Sequence, residues 1–166
     1  FAMYAAAEVG YGGWISTYAA TLRFGDAAEA AYLTSAFWGS LTLGRFVAIP
    51  IASRFAPGAV IGIDLLGAVG CVGAILLYPD SARTVWIGTC VLGFCLASIF
   101  PTLLVFSGER LAVSGRSTSW YMAGGSAGGL VVPWLIGRLF DEGTIGRVGL
   151  ALERALGVSG ERPAGF

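Results

Sequence analysis

Three charged side chains lie inside long apolar runs of this sequence: Glu8, Arg45 and Asp64. Each costs ~2.5–3.5 kcal/mol in hydrocarbon on insertion scales, so each calls for a partner or a role. Glu8 lies fourteen residues before Leu22, the end of the first run, and so ~21 Å from that end at ~1.5 Å per residue. Arg45 lies fifteen residues after Ala30, the start of the second run, and so ~22 Å from the same face. Two opposite charges at matched depth on a helical hairpin are expected to meet, directly or through water, which offsets much of their burial cost. A carboxylate able to leave such a pair can carry a proton or a cation; one that never leaves is a structural staple. Both readings stand open. Asp64 is about five residues into its run, within ~8 Å of the end, and is expected to reach the interface or a nearby Arg.

The residues around the two charges share helical spacing. Tyr4, Glu8, Tyr11, Ile15 and Tyr18 make one stripe, and Thr34, Trp38, Thr42 and Arg45 another. Two polar-aromatic stripes on adjoining helices suggest a lined cavity, although Tyr18 also suits an interfacial aromatic belt. The candidate substrate or coupling-ion residues are Glu8, Arg45, Tyr11, Trp14, Tyr18, Trp38 and Tyr121. Gly124 with Gly128, and Gly125 with Gly129, form small-xxx-small pairs suited to close helix packing. Pro101 and Pro133 each remove a backbone donor and can kink a helix.

Other chemistry lacks its residues. The chain has no His, Lys, Asn or Gln, so imidazole bases, metal-ligating imidazoles and Schiff-base lysines are excluded. Cys71, Cys90 and Cys95 lie in apolar runs without metal-site spacing and read as reduced packing residues. Gly124-Gly125-Ser126-Ala127-Gly128 matches the letters of a hydrolase nucleophile elbow, but that motif needs a histidine base. No phosphate-cradling loop ends in Lys-Ser or Lys-Thr. The expectation is a protein that is not an enzyme, with no cofactor and no metal. A formal net charge of zero also speaks against nucleic acid as a partner.

The elements follow from composition. Of 166 residues, 56% are hydrophobic and 12% charged, about half the charge usual in a soluble domain. The apolar runs, about 2–22, 30–52, 59–77, 84–106 and 117–137, fit the ~20 residues a helix needs to cross ~30 Å of hydrocarbon. They do not alternate in polarity as barrel strands do. The expected fold class is an all-α membrane protein of about five transmembrane helices within residues 1–142. Short connections imply that consecutive helices are neighbours. Residues 143–166 carry too much charge for a sixth span and read as a polar tail or a short interfacial helix over Val148–Leu156. Arg54, Arg110 and Arg116 in two loops, against Arg23, Arg83 and Arg138 in three, faintly favour the first set as cytoplasmic. The chain opens at Phe1 within an apolar run, which reads as a fragment rather than a signal peptide.

Local patterns resemble the major facilitator superfamily, specifically helices 7–11 of its twelve. They are Glu8-Val9-Gly10-Tyr11-Gly12-Gly13-Trp14; Phe37-Trp38-Gly39 with Leu43-Gly44-Arg45 and Ala52-Ser53-Arg54-Phe55; Ile99-Phe100-Pro101-Thr102 with Gly108-Glu109-Arg110; and the Gly124–Gly129 run with Pro133, Gly137 and Asp141 beyond. The first helix and the Phe-Pro helix are similar to the fucose/proton symporter and sodium-dependent glucose transporter branches. Ser53 and Ala56 stand where the superfamily's loop signature has Asp and Gly, and a sixth helix is missing.

The resemblance implies a secondary active or facilitative transporter fragment. It would move a small polar solute, a sugar on the branch resemblance, by alternating access with proton or sodium coupling. The implied partners are the lipid bilayer, the solute, a proton or sodium ion, and a missing N-terminal half. The implied location is a bacterial-type inner or plasma membrane, with the chain integral and multi-pass. A non-transporting membrane scaffold and a membrane-embedded enzyme are the rival readings.

Overall fold

The computed structural model describes residues 1–22, 27–52, 54–110 and 115–141. These residues form helices α1 (Ala2–Thr21), α2 (Ala27–Ala52), α3 (Pro57–Leu77), α4 (Ala82–Arg110) and α5 (Gly115–Asp141), with no strand among them. The tail expected over 143–166, with its short helix at Val148–Leu156, lies outside the described residues. So do Arg23 and Ser53.

Local chemistry accounts for where α3 and α4 begin. Ala56 has an extended backbone and Pro57 opens α3, where its missing N–H costs nothing because the first helical donors have no intrahelical acceptor. Ser81 caps α4: the Thr84 N–H donates to Ser81 Oγ at 3.3 Å, which satisfies one of those donors. α4 then runs through Pro101 to Arg110, 29 residues in all, beyond the apolar stretch that ends near residue 106.

The packing order differs from the chain order. α4 packs against both α2 and α3, and α1 packs most extensively on α5 and less on α2. α2 and α3, and likewise α4 and α5, make at most slight contact despite their short connections. The expectation that every consecutive pair are neighbours is therefore corrected. The cause is visible at the α2–α4 seam. A Cβ on Gly44 would lie 2.6 Å from Ala97 Cβ, and one on Gly93 2.8 Å from the Phe37 carbonyl oxygen. Missing side chains let these two backbones approach more closely than any larger residue permits.

Two hydrophobic clusters occupy the interior. One joins Tyr4, Phe37, Leu41, Leu92, Leu96, Ala97 and Ile99; the other joins Ile15, Ala19, Ala30, Leu33, Ile75 and Val85. Tyr11 packs against both. On α2, Leu33, Phe37 and Leu41 are almost completely buried at four-residue spacing, the stripe that faces α4.

The count of membrane-crossing helices is also corrected. Among the described residues, two helices are by length and composition apolar enough to cross a membrane, α3 and the Ala82–Gly108 part of α4, rather than five. α1, α2 and α5 are diluted by small and polar residues: Glu8 and its tyrosines in α1, Glu29 and Arg45 in α2, and the Gly-Ser-rich first half of α5. Such residues gain little on leaving water, so these helices fall short on composition rather than on length.

Candidate functional site

Glu8 and Arg45 meet. Arg45 Nη2 donates to Glu8 Oε1 at 3.1 Å, joining α1 to α2. The two partners are unequally covered: the Glu8 side chain is 12% exposed and that of Arg45 50%. Glu8 is thus the buried partner, and Arg45 the one with room to move.

The pair lines a cavity of about 550 Å³. Tyr4 and Glu8 come from α1, Arg45 from α2, Phe100 and Pro101 from α4, and Tyr121 and Ser126 from α5. Phe1 stacks on Tyr121 with ring centroids 4.9 Å apart and meets the Phe100 ring edge-on at 5.5 Å. The Tyr4 ring lies 5.9 Å from Phe100. The walls are mainly aromatic and apolar, and the ion pair supplies the charge. A half-open cavity lined in this way offers ring contacts and a few polar groups to a small solute.

Of the residues expected to line a site, the structure brings Glu8, Arg45 and Tyr121 to this cavity. The rest are placed elsewhere. Tyr11 Oη and Thr89 Oγ1 are hydrogen-bonded at 2.7 Å, tying α1 to α4. Trp14 Nε1 donates to the Pro133 carbonyl at 3.0 Å, tying α1 to α5. Tyr18 packs against the second hydrophobic cluster. Trp38 meets Phe37 edge-on, with centroids 5.4 Å apart, and its ring leaves no space for a side chain at Gly12.

The glycine run divides in the same way. A side chain on Gly128 would strike the Ala2 backbone, while Gly129 and Gly125 lie at ordinary contact distance from Val9 and Ala5; a methyl on Gly124 would meet nothing. Pro101 and Pro133 both lie inside continuous helices. Asp64 is paired with a serine rather than an Arg among the described residues. It accepts a hydrogen bond from Ser98 Oγ across the α3–α4 contact, because α4, not a loop, covers its face of α3. Phe1, Tyr4, Phe100 and Ser126 line the cavity without being among the candidates; of these Tyr4 stands one helical turn before Glu8, a spacing that already marks it.

Among the described residues no group of His, Cys, Asp and Glu is arranged to hold a metal ion. No family model matches the chain, and no solved structure matches it significantly. Curated relatives do. The chain is 34% identical over 113 residues to the mouse major facilitator superfamily domain-containing protein 4A, covering 68% of this chain and 22% of that protein. It is 30% identical over 159 residues to human sodium-dependent glucose transporter 1, covering 96% of this chain and 30% of the relative. Mouse sodium-dependent glucose transporter 1A is 31% identical over 139 residues, with 84% of this chain and 33% of the relative covered. The chain spans between about a fifth and a third of the length of these relatives. It is homologous to major facilitator superfamily domain-containing proteins and to sodium-dependent glucose transporters.

Proposed function

We propose that this chain is part of a major facilitator transporter of an inner or plasma membrane, corresponding to helices 7–11 of its fold. It moves a small polar solute, a sugar first among the candidates, by alternating access. The observation that carries this reading is the Glu8–Arg45 pair, held 3.1 Å apart in the wall of a cavity that α1, α2, α4 and α5 share. A static bundle gains little from such a pair, since apolar residues of similar volume stabilise as well or better. A moving bundle gains a carboxylate whose partner is exchangeable. In this reading Glu8 takes a proton or sodium ion when Arg45 swings away, and Arg45 returns when the ion leaves. Helices α1, α2 and α5, with their lower apolar content, face the remainder of the protein and the solute path, while α3 faces lipid.

The kinship with sodium-dependent glucose transporters supports glucose as the first probe. The experiment is uptake of labelled D-glucose by the complete protein in proteoliposomes, with an imposed sodium or proton gradient. Glu8→Gln should abolish the dependence on the gradient while leaving downhill exchange measurable. Gradient-driven uptake that is unchanged in Glu8→Gln would remove Glu8 from coupling.

A further inference from the structure

The ion pair shows the cavity its positive member. Glu8 and Arg45 both line the wall, but the Glu8 side chain is 12% exposed and that of Arg45 50%. Arg45 meets Glu8 through one nitrogen, Nη2, and the covered Tyr4 hydroxyl interacts with both groups. A guanidinium carries several N–H donors in a planar fork, so these partners leave others unused. Among the described residues, no further charged side chain lines the cavity. A half-open guanidinium of this kind takes a carboxylate through two parallel N–H donors.

We infer that the solute carries one carboxylate, as a sugar acid does, and that this carboxylate docks on Arg45 in competition with Glu8. One guanidinium matches a monoanion in charge, and the rings of Phe100 and Tyr121 in the same cavity suit the body of the solute. Docking draws Arg45 off Glu8 and leaves a largely covered carboxylate without its cation, which is costly. Glu8 therefore takes up one proton or one sodium ion from solution as the anion binds. Anion and cation favour each other's binding by the same factor, and the net charge of the cavity is unchanged. The other groups facing Glu8 do not compete for this role. Tyr4 on its own helix and Tyr121 on α5 are neutral phenols, and α4 contributes Phe100 and Pro101, which do not titrate.

This inference rests on the transporter reading and supplies what moves Arg45. Binding of D-glucuronate and of D-glucose is measured by calorimetry on the complete protein in nanodiscs. The pH is varied over a range in which glucuronate stays ionised, with sodium or choline as the cation. The parent should bind glucuronate at least about tenfold more tightly than glucose, the worth of a charge-assisted hydrogen bond. Its glucuronate affinity should rise by up to about tenfold per unit as pH falls, the slope of one proton taken up, or rise with sodium in place of choline. Glucose affinity should do neither. Glu8→Gln removes the competitor and keeps the guanidinium, so it should bind glucuronate at least as tightly as the parent, whatever the pH or cation. The double variant Glu8→Gln/Arg45→Gln, which strands no charge, should lose the preference for glucuronate.

If glucose binds as tightly as glucuronate or more so, the carboxylate assignment is overturned and the sugar reading stands. A preference for glucuronate that survives in the double variant overturns the Arg45 contact. Glucuronate affinity indifferent to both pH and sodium overturns the competition with Glu8. If neither solute binds, this inference and the sugar reading fail together.

Discussion

At the scale of single residues, the ion pair is the feature most open to measurement. Arg45→Gln leaves Glu8 largely buried and without its cation. Removing one partner of a fully buried pair costs ~3–5 kcal/mol. Arg45 is half exposed, so a loss of about 1–3 kcal/mol is expected here, read as a lowered thermal midpoint in detergent. Adding Glu8→Gln to Arg45→Gln should recover most of that loss, because the stranded charge is then gone. A double variant no more stable than Arg45→Gln alone would mean that the two side chains do not interact. This pair was legible in the sequence because depth along a helix is a matter of counting residues. The facing of the other candidates was not. Thr34, Trp38, Thr42 and Arg45 form a regular stripe, yet the stripe that packs into the core is Leu33, Phe37 and Leu41, one position round the helix. Spacing defines both stripes equally well, and only the neighbour decides which is buried.

At the scale of elements, glycines at seams decide which helices are partners. Gly44 and Gly93 let α4 insert against α2, and a methyl at Gly44 would lie 2.6 Å from Ala97 Cβ and 3.2 Å from the Phe94 backbone. Ala97 is fully buried, so neither neighbour yields without the helices separating. Gly44→Ala should destabilise the protein by roughly 1–3 kcal/mol, as overpacking of a tight contact does. Gly124→Ala is the matched control. Its methyl meets nothing, and alanine is the better helix former by roughly 1 kcal/mol, so its unfolding midpoint in a denaturing-detergent titration should stay level or rise. Equal losses at the two sites would show that the α2–α4 contact is looser than described. The helices themselves were legible as apolar runs bounded by Pro and charged residues, with ends a few residues from those observed. Their pairing was not, because a short connection limits distance but does not say whether a third helix enters between two consecutive ones. The Gly124–Gly129 run illustrates this limit: of four glycines with equivalent spacing, Gly128 meets backbone and Gly124 meets nothing.

At the scale of the whole molecule, large apolar side chains are exposed on α2, α3, α4 and α5, and those of α3 lie on a helix apolar enough to cross a membrane. α3 leaves Ile63, Leu66 and Val69 at least 70% exposed, and it is among the helices apolar enough to cross a membrane. α4 behind it contributes Leu92, Leu96 and Ala97 to the core. An exposed apolar face of this extent on one helix is what a bilayer covers. The complete protein, with a nitroxide at Leu66 and reconstituted in vesicles, tests this directly. Leu66 lies nine residues into α3, ~14 Å from its start and so near mid-bilayer for a spanning helix. The label should relax readily with oxygen, which partitions into hydrocarbon, and poorly with a water-soluble nickel complex. A second label at Ala97 is unsuitable because that position is fully buried; Arg83, at the start of α4, serves instead and should show the reverse preference. Strong relaxation by the nickel complex at Leu66 would place α3 in water or against a solvated partner. It would also remove the apolar face that anchors this side of the bundle in lipid.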